Sequence, residues 1–378
     1  MSGAVSLDAT PAVSVIVPIY NAARFLEKCL SSLVAQTFDD FEAICVDDGS
    51  TDASANIVRG FVDRDERFSL VSKENSGYGA SMNMGLDRAR GRYVAILESD
   101  DFFDPQALEL LVFAAEAADA DVAKGNFWLY WSSPSERRVP FSVVDAPLVG
   151  RTICPRRDDD MAIFFRKPSI WSGVYRRSFL EENGIRFLET PGASYQDAGF
   201  NFKVWAAAER ATFIADCVLC YRQDNEASSV KSSAKAFCVC DEYQSMAEFV
   251  DEHFSGAEAT HLTGILERMK LDSYLWNYDR LDESLRPQFV ERISCEMADD
   301  VAKGRVDRTL FEPGAAADLD ALIADPKRFV RSRKAQTGPA GSVARYLVLG
   351  GMPLLTKALQ FKARGHSARR TNQEGAAL

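Results

Sequence analysis

The sequence predicts an α/β fold in which a mainly parallel sheet is flanked by helices and followed by a helical C-terminal region. Two observations predict it. Short apolar runs alternate with segments of helical spacing through the first hundred residues, and long amphipathic stretches prevail beyond about residue 230. Strands and helices that alternate with short connections are typical of βαβ units and a parallel sheet.

Each element is predicted from its own periodicity. Strands are predicted at 13–17, 41–46, 68–71, 93–97, 123–131 and 170–175. Helices are predicted near 25–34, 57–62, 80–89, 106–118, after Asp197, and at 237–254 and 265–281. The pattern is mixed between residues 102 and 221, so this part is expected to extend the same α/β domain.

Four segments follow from this reading. They are an N-terminal tail (1–11), an α/β domain (12–229), a helical region (230–337) and a basic and apolar tail (338–378). The break before the last segment is Gly338-Pro339-Ala340-Gly341-Ser342. Every formal charge from Lys327 to Arg370 is positive. This tail is predicted to dock on an anionic membrane surface or on a partner, with packing on the acidic surface of the protein itself as the alternative.

Composition narrows the classes of function. The chain has 378 residues and a net charge of −11, which argues against nucleic acid as a partner. No secretory signal is predicted, and the uncharged stretch 346–356 is too short to cross a bilayer. We therefore expect a cytoplasmic protein, or one peripheral on the inner face of the membrane.

The eight cysteines fit reduced thiols better than a disulfide framework. Cys217 and Cys220 also raise a zinc hypothesis, since thiolate pairs at short spacing are common zinc ligands. The run around them reads as a strand, where a spacing of three places the two side chains on opposite faces. Core cysteines are therefore favoured over a zinc site.

A polar cluster follows each of the first four predicted strands. The clusters are Pro18-Ile19-Tyr20-Asn21, Asp47-Asp48-Gly49-Ser50, Lys73-Glu74-Asn75-Ser76-Gly77 and Glu98-Ser99-Asp100-Asp101. Ligands of parallel sheets bind beyond the carboxyl ends of the strands, so the four clusters predict one site. Crowded carboxylates favour a hard divalent cation, Mg²⁺ or Mn²⁺, shared with a nucleotide diphosphate. Capping of the following helices would explain one cluster but explains four less well.

The motifs Ser14–Asn21, Val46–Asp52 and Leu97–Asp101, in this order, resemble those of family-2 glycosyltransferases. The resemblance covers roughly residues 12 to 225. It implies the GT-A fold, whose first half is a Rossmann-like nucleotide-binding sheet. A dehydrogenase is disfavoured, because no G-x-G-x-x-G follows the first strand.

The resemblance implies a role for each matching residue. On the donor side it implies nucleoside contacts from Pro18, Tyr20 and Asn21, a base contact from Asp48, and nucleotide contacts from Asn75, Gly77 and Asp100. It implies that Glu98, Asp100 and Asp101 hold the divalent cation. Asp197 matches the catalytic base, and Trp171, Tyr175 and Gln196 match the acceptor side, although Trp171 and Tyr175 could equally be core residues.

Three positions depart from the common family pattern. Glu98 stands where many relatives have Asp, Gln196 where Glu is common, and Met82 where Arg is frequent. The first keeps the charge of the metal motif. The second removes a carboxylate beside the base, and the third puts a donor-phosphate contact in doubt. None removes a group that the reaction requires.

The predicted reaction is inverting transfer of a sugar from a nucleotide-diphosphate sugar, most often a UDP-sugar in this family, to an acceptor hydroxyl. The resemblance implies a glycan or lipid-linked glycan acceptor in surface polysaccharide or cell-wall synthesis. Asp197 is placed at a helix N-terminus, which is expected to keep its carboxylate ionised. The alternatives are a module that binds nucleotide-sugar without turnover and a nucleotidyltransferase on a similar fold.

Overall fold

The computed structural model describes residues 10–157, 161–190, 194–225, 236–337 and 341–375, with side chains in the last range described to residue 363. The chain divides into two compact units. One comprises residues 1–230 with 248–253, and the other comprises residues 231–247 with 254–378. The division predicted at residue 229 lies beside the first boundary. Of the predicted break, residues 338–340 lie outside the described residues, and Gly341 begins a helix.

Ten strands of the first unit form one sheet. They are β1 (Val13–Ile19), β2 (Phe41–Asp47), β3 (Phe68–Ser72), β4 (Tyr93–Ile96), β5 (Phe102–Phe103), β6 (Val122–Trp131), β7 (Arg137–Phe141), β8 (Thr152–Ile153), β9 (Gly173–Arg176) and β10 (Ala211–Arg222). The order is β3-β2-β1-β4-β9-β6-β10-β5, with β7 beside β6 and β8 beside β10.

Strands β3, β2, β1 and β4 pair in parallel, as the sequence predicts. All seven residues of β1 are buried. A strand that is covered on both faces needs apolar side chains at consecutive positions. This explains the mainly apolar run at residues 13–17. Ile19 lies opposite Asp47 in the register of β1 and β2, so the two strands end at the same edge.

The second half of the sheet is mixed, whereas the sequence predicted a mainly parallel one. Strand β9 lies between β4 and β6 and is antiparallel to both. Strands β6 and β10 are parallel to each other, while β5, β7 and β8 add antiparallel edges. The periodicity of one strand carries no information on its direction, so this reversal is not visible in the sequence.

Three helices alternate with the first four strands, as predicted: α1 (Ala23–Val34), α2 (Ser54–Val62) and α3 (Tyr78–Arg88). They are followed along the chain by α4 (Ala107–Ala117), α5 (Arg177–Glu182), α6 (Gln196–Ala207) and α7 (Cys238–His253). Helix α3 starts after Gly77, whose φ of 94° favours glycine, and α6 starts after Tyr195, which has a φ of 63°. Both helices begin at the edge where the parallel strands end.

The second unit is helical. Its further helices are α8 (Gly256–Arg280), α9 (Arg286–Ala302), α10 (Pro313–Ala324), α11 (Pro326–Gln336) and α12 (Gly341–Gly375). Within α12, Gly351 breaks the helical geometry with φ 65° and ψ −159°. Within the described residues, no helix has both the length and the apolar character that crossing a bilayer requires.

The basic tail is not separate from the helical region. Arg345 of α12 binds the buried carboxylate of Asp318 in α10, and Arg333 of α11 binds Asp279 of α8. The first part of α12 therefore packs on the protein itself, through an ion pair with a buried aspartate and not through an acidic surface. The apolar side chains further along α12 are largely exposed.

Glycine at position 79 allows α3 to pack closely on the chain segment that precedes α6. A Cβ atom added at Gly79 would overlap the carbonyl oxygen of Leu188, which is backbone and cannot turn aside. Gly60 in α2 is a matched control, because its nearest neighbour is the guanidinium of Arg64 at 3.9 Å.

We predict that Gly79→Ala lowers the free energy of unfolding by about 1–3 kcal/mol, the usual cost of overpacking. Gly60→Ala should leave it unchanged or raise it by up to about 1 kcal/mol, because alanine favours helix. Urea denaturation of both variants measures the difference. Equal stability of the two variants would show that the contact with Leu188 is unimportant.

Candidate active site

Hydrogen bonds link the ends of β1 and β2. The side-chain oxygen of Asn21 accepts from the Thr51 amide at 2.8 Å, and the Asn21 amide donates to Ser50 Oγ at 3.0 Å. Tyr20 is 54% exposed beside them, whereas Pro18 is buried inside β1. Of the three residues predicted to contact the nucleoside, Tyr20 and Asn21 therefore present open surface and Pro18 does not.

Asp48 organises the loop between β3 and α3. Its carboxylate accepts the backbone amides of Ser76 at 2.9 Å and Gly77 at 3.0 Å, and it forms an ion pair with Lys73. Asn75 donates to the Asp48 carbonyl at 3.1 Å. The structure thus brings together the predicted donor residues Asp48, Asn75 and Gly77. The base contact predicted for Asp48 would have to share this carboxylate with the loop.

Glu98, at the end of β4, accepts a hydrogen bond from the Tyr78 hydroxyl at 2.6 Å. Burial raises the pKa of Glu98 to about 8, and the charges of Asp100 and Asp197 add to the effect. Burial also raises the pKa of the Tyr78 hydroxyl, and the charges of Glu98 and Asp197 add to the effect. Glu98, Tyr78 and Asp197 therefore share one poorly hydrated, electronegative place.

Asp100 and Asp101 contact the end of β10. One oxygen of Asp101 accepts the Arg222 amide at 2.8 Å, and Asp100 accepts from the Asn225 side chain at 2.9 Å. The guanidinium of Arg222 donates to the Asp100 carbonyl at 2.9 Å. Burial and the charge of Asp100 raise the pKa of Asp101 well above its usual range.

The residues present fit a divalent cation. The second oxygen of Asp101 is buried and has no hydrogen-bond partner among the described residues, although a buried acceptor normally has one. In the described part of the chain, no three His, Cys, Asp or Glu side chains form a ready-made metal cage. Mg²⁺ and Mn²⁺ commonly use one or two carboxylates together with substrate phosphates and water, which matches this open arrangement.

Asp197 lies in the first turn of α6, as predicted, and one of its oxygens accepts the Ala198 amide at 2.9 Å. The Ala198 amide favours the ionised form, as expected at a helix N-terminus, and burial opposes it. Burial raises the pKa of Asp197 above its ordinary value of 3.8 and outweighs the Ala198 amide and the Lys167 ammonium, which lower it. A carboxylate with a raised pKa is a stronger proton acceptor.

The three predicted acceptor-side residues are mostly internal. Tyr175 is 1% exposed and donates to the Ile170 carbonyl at 2.7 Å, so it is a core residue in β9. Gln196 is 1% exposed and donates to Thr190 Oγ1 at 2.8 Å, so it holds the loop before α6. Trp171 is buried and stacks on Tyr221, with ring centroids 5.0 Å apart. Only the Trp171–Tyr221 pair stands near the reacting side of the site.

The sequence analysis did not identify Lys167 as a site residue. Its ammonium lies 4.7 Å from the centroid of the Tyr221 ring, and its charged form is favoured by Asp197 and Asp101. Burial is the larger influence and lowers its pKa. Arg222 and Asn225 were missed as well. Arg222 ends β10 and Asn225 lies just after it, and this position at the end of a strand was the available signal.

The Met82 departure has a structural explanation. Its side chain is fully buried in α3, so it contributes to the core and not to an open donor surface. The neighbouring Asn83 has a structural role. Its side-chain amide donates to the Phe187 carbonyl at 2.9 Å and accepts from the Phe187 amide at 3.0 Å. Cys217 and Cys220 are free thiols, and no metal cluster includes them among the described residues.

In the first half of the sheet, parallel strands end in polar clusters. The second half is mixed, and the chain that forms it brings further carboxylates to the same edge. Together these features define a GT-A-type α/β protein. The fold matches that of S. aureus TarS, residues 1–349, with a TM-score of 0.66 and 22% identity over 85% of this chain and 90% of that one. At 22% identity this match shows the fold alone.

The chain belongs to glycosyl transferase family 2, whose model matches residues 14–203. It is 40% identical over 221 residues to glycosyltransferase GlyG of Streptococcus pneumoniae serotype 4, which covers 56% of this chain and 70% of GlyG. It is 31% identical over 221 residues to GlyA of the same organism, which covers 56% of this chain and 30% of GlyA. In several other curated relatives the match also spans less than two thirds of their length.

We predict that Arg222→Met lowers the free energy of unfolding by about 2 kcal/mol or more, because it removes a buried cation from Asp224 and from the Asp100 carbonyl. Arg138→Met is the control. Arg138 is paired with Asp104 at 3.7 Å, its side chain is 55% exposed, and such pairs contribute about 0–1 kcal/mol. Urea titration measures both changes, and an equally small effect at position 222 would contradict this view of the site.

Proposed function

We propose that the protein transfers a sugar from a nucleotide-diphosphate sugar to an acceptor hydroxyl, with inversion at the anomeric carbon. The observation that carries this proposal is the convergence of three groups at one edge of the sheet. The Asp48 loop offers a nucleotide surface, Glu98, Asp100 and Asp101 offer oxygen ligands, and Asp197 offers a proton acceptor. This convergence supports a transferase over a module that only binds.

A UDP-sugar is the donor we propose. TarS is described in complex with UDP-GlcNAc, and we extend the uridine class of donor, not the sugar, to this chain. Tyr20 offers an exposed aromatic ring beside Asn21 and the Asp48 loop, where a base could stack. Asn75, which donates a hydrogen bond to the Asp48 carbonyl, is also exposed and could contact the nucleotide.

In the proposed mechanism, Asp197 takes the proton of the acceptor hydroxyl as that oxygen attacks the anomeric carbon. Lys167 favours the ionised form of Asp197, and the Ala198 amide orients one of its oxygens. Tyr78 holds Glu98 in place through its hydroxyl. A divalent cation bound by Asp100 and Asp101, with Glu98 beside them, would offset the charge that grows on the departing diphosphate.

We propose a glycan or lipid-linked glycan as the acceptor, in surface polysaccharide or cell-wall synthesis. The stacked pair Trp171 and Tyr221 provides an aromatic wall near Asp197, and Lys167 lies over it. We further propose that the enzyme works in the cytoplasm or on the inner face of the membrane. All eight cysteines are free thiols, which supports a reducing compartment.

We predict that UDP binds at least tenfold more tightly with Mn²⁺ than with EDTA, and that Asp100→Asn and Asp101→Asn reduce this difference. Without a cation, each phosphate charge facing a carboxylate at about 4 Å costs on the order of 1–4 kcal/mol. Thermal shift across a UDP titration measures affinity, because a ligand of the native state raises its stability. Asp104→Asn is the control outside the cluster, and equal UDP affinity in EDTA and Mn²⁺ would exclude the proposed metal role.

We predict that Asp197→Asn folds normally but loses about 10²–10⁴-fold in turnover, since an amide cannot accept the proton. Asparagine caps a helix about as well as aspartate, so a purely structural role predicts near-normal activity. Nucleoside-diphosphate release with a competent acceptor is the measurement, and Asp216→Asn, an exposed carboxylate of β10, is the control. Turnover above roughly a tenth of the wild-type value would refute the assignment.

The raised pKa of Asp197 gives this variant a second signature. A carboxyl whose pKa is higher in the folded state binds its proton more tightly there, so its contribution to stability falls as pH rises above the ordinary value of 3.8. The neutral amide escapes this cost. At neutral pH the melting temperature of Asp197→Asn should therefore equal or exceed that of the wild type. Turnover of the wild type should fall as pH decreases through the raised pKa.

A further inference from the structure

The side chain of Lys73, directly after β3, is bound within the loop that leads to α3. It is 8% exposed, although a lysine side chain normally lies in water. An ammonium group has three protons to donate, and three acceptors surround this one. They are the Asp48 carboxylate, Ser76 Oγ and the Glu74 carbonyl, the last at 3.2 Å. Lys73 therefore acts on the loop itself, because none of its three protons is left over for a ligand.

The carboxylate of Asp48 is held by three donors. A carboxylate has about four acceptor positions, two on each oxygen. One oxygen, Oδ1, accepts from Lys73 and from the Ser76 amide at 2.9 Å. The other, Oδ2, accepts from the Gly77 amide at 3.0 Å. One acceptor position therefore remains, and it belongs to Oδ2.

Asp48 also lies beside the aromatic side chain on which we place the base. Its amide donates to the Ile19 carbonyl at 2.8 Å, and Ile19 directly precedes Tyr20, which is 54% exposed. A base stacked on Tyr20 would thus meet Asp48 at its edge. An ionised carboxylate accepts hydrogen bonds and cannot donate them. The base must therefore offer an N–H group to the remaining position on Oδ2.

We propose that Lys73 is a positioning residue that makes the site select uracil over cytosine, by fixing Asp48 as an acceptor with one open position. The inference rests on the proposed uridine donor. Uracil carries a proton on N3, whereas N3 of cytosine has a lone pair that would face the carboxylate. A carboxylate that is free to turn could instead accept from the amino group of cytosine. Lys73, together with the amides of Ser76 and Gly77, prevents this turn.

The two nucleotides separate this role from a direct contact between Lys73 and the donor phosphates. UDP and CDP carry the same diphosphate, so a lost phosphate contact would weaken both equally. Loss of the ammonium removes the one charge-assisted hydrogen bond of the Asp48 carboxylate and leaves it with two backbone amides. The carboxylate can then turn, which disfavours UDP and does not disfavour CDP. The ratio of the two affinities is therefore the informative quantity.

The test is isothermal titration calorimetry of the full-length protein with UDP and with CDP in the presence of Mn²⁺. We expect the wild type to bind UDP tighter than CDP by about tenfold or more, because CDP leaves a buried acceptor without its hydrogen bond. Lys73→Met should weaken UDP by about tenfold and change CDP by less than about threefold, so that the preference largely disappears. Lys73→Arg, which keeps a charged donor, should retain most of the preference.

The control is Lys327→Met, the same substitution at an exposed lysine of α11, which should leave both affinities unchanged. Melting temperatures verify folding. If Lys73→Met does not fold, Lys73→Gln takes its place. Glutamine removes the charge but keeps an N–H donor, so the preference should fall by a smaller factor.

An unchanged ratio of UDP to CDP affinity in a folded variant that lacks the charge would overturn the proposal. So would a wild type that binds UDP and CDP equally. In both cases UDP still binds, so the proposed transferase function would stand. A wild type that binds neither nucleotide in Mn²⁺ would refute the proposed donor class and this inference together.

Discussion

Four carboxyl groups lie close together in a poorly hydrated region at the end of β4 and the start of α6. The rest of the first unit is arranged so that it holds these groups there. They are Glu98, Asp100, Asp101 and Asp197. Like charges a few ångströms apart cost on the order of 1–4 kcal/mol per pair near a protein surface. Burial adds to that cost, as the raised pKa values of Glu98, Asp101 and Asp197 show. Such strain is typical of sites built for a ligand and not for stability.

The partners that hold these carboxyls come from distant parts of the chain. Tyr78 begins α3, Arg222 ends β10, and Lys167 lies in the connection before β9. The mixed half of the sheet brings them together, because β9 runs against β4 and places β6 and β10 beyond it. The close approach of α3 to Leu188 at Gly79 brings the segment before α6 against the same helix. This packing beside Tyr78 thus helps to position the segment that leads to Asp197.

The second unit contains buried charge of a different kind. Asp318 is 0% exposed, and burial raises its pKa even though Arg345 and Arg333 lower it. Removing Arg345 would leave this buried carboxylate with Arg333, 3.7 Å away, so the Arg345 ion pair fixes this part of α12 to α10.

The sequence by itself determined the alternation of strands and helices, the parallel order of the first four strands and the four polar clusters at their ends. It could do so because these features are local: periodicity spans a few residues, and the carboxyl ends of parallel strands meet at one edge. Asp48 and Asp101 were singled out on that basis, whereas Asp197 was assigned through the resemblance of its motif to a family. The tertiary structure decided what depends on long-range contacts. It placed Tyr175 and Gln196 in the interior, recruited Lys167 and Arg222 to the site, and let burial outweigh the helix N-terminus at Asp197. Burial and the reversed direction of β9 are properties of the assembled sheet, and no single segment encodes them.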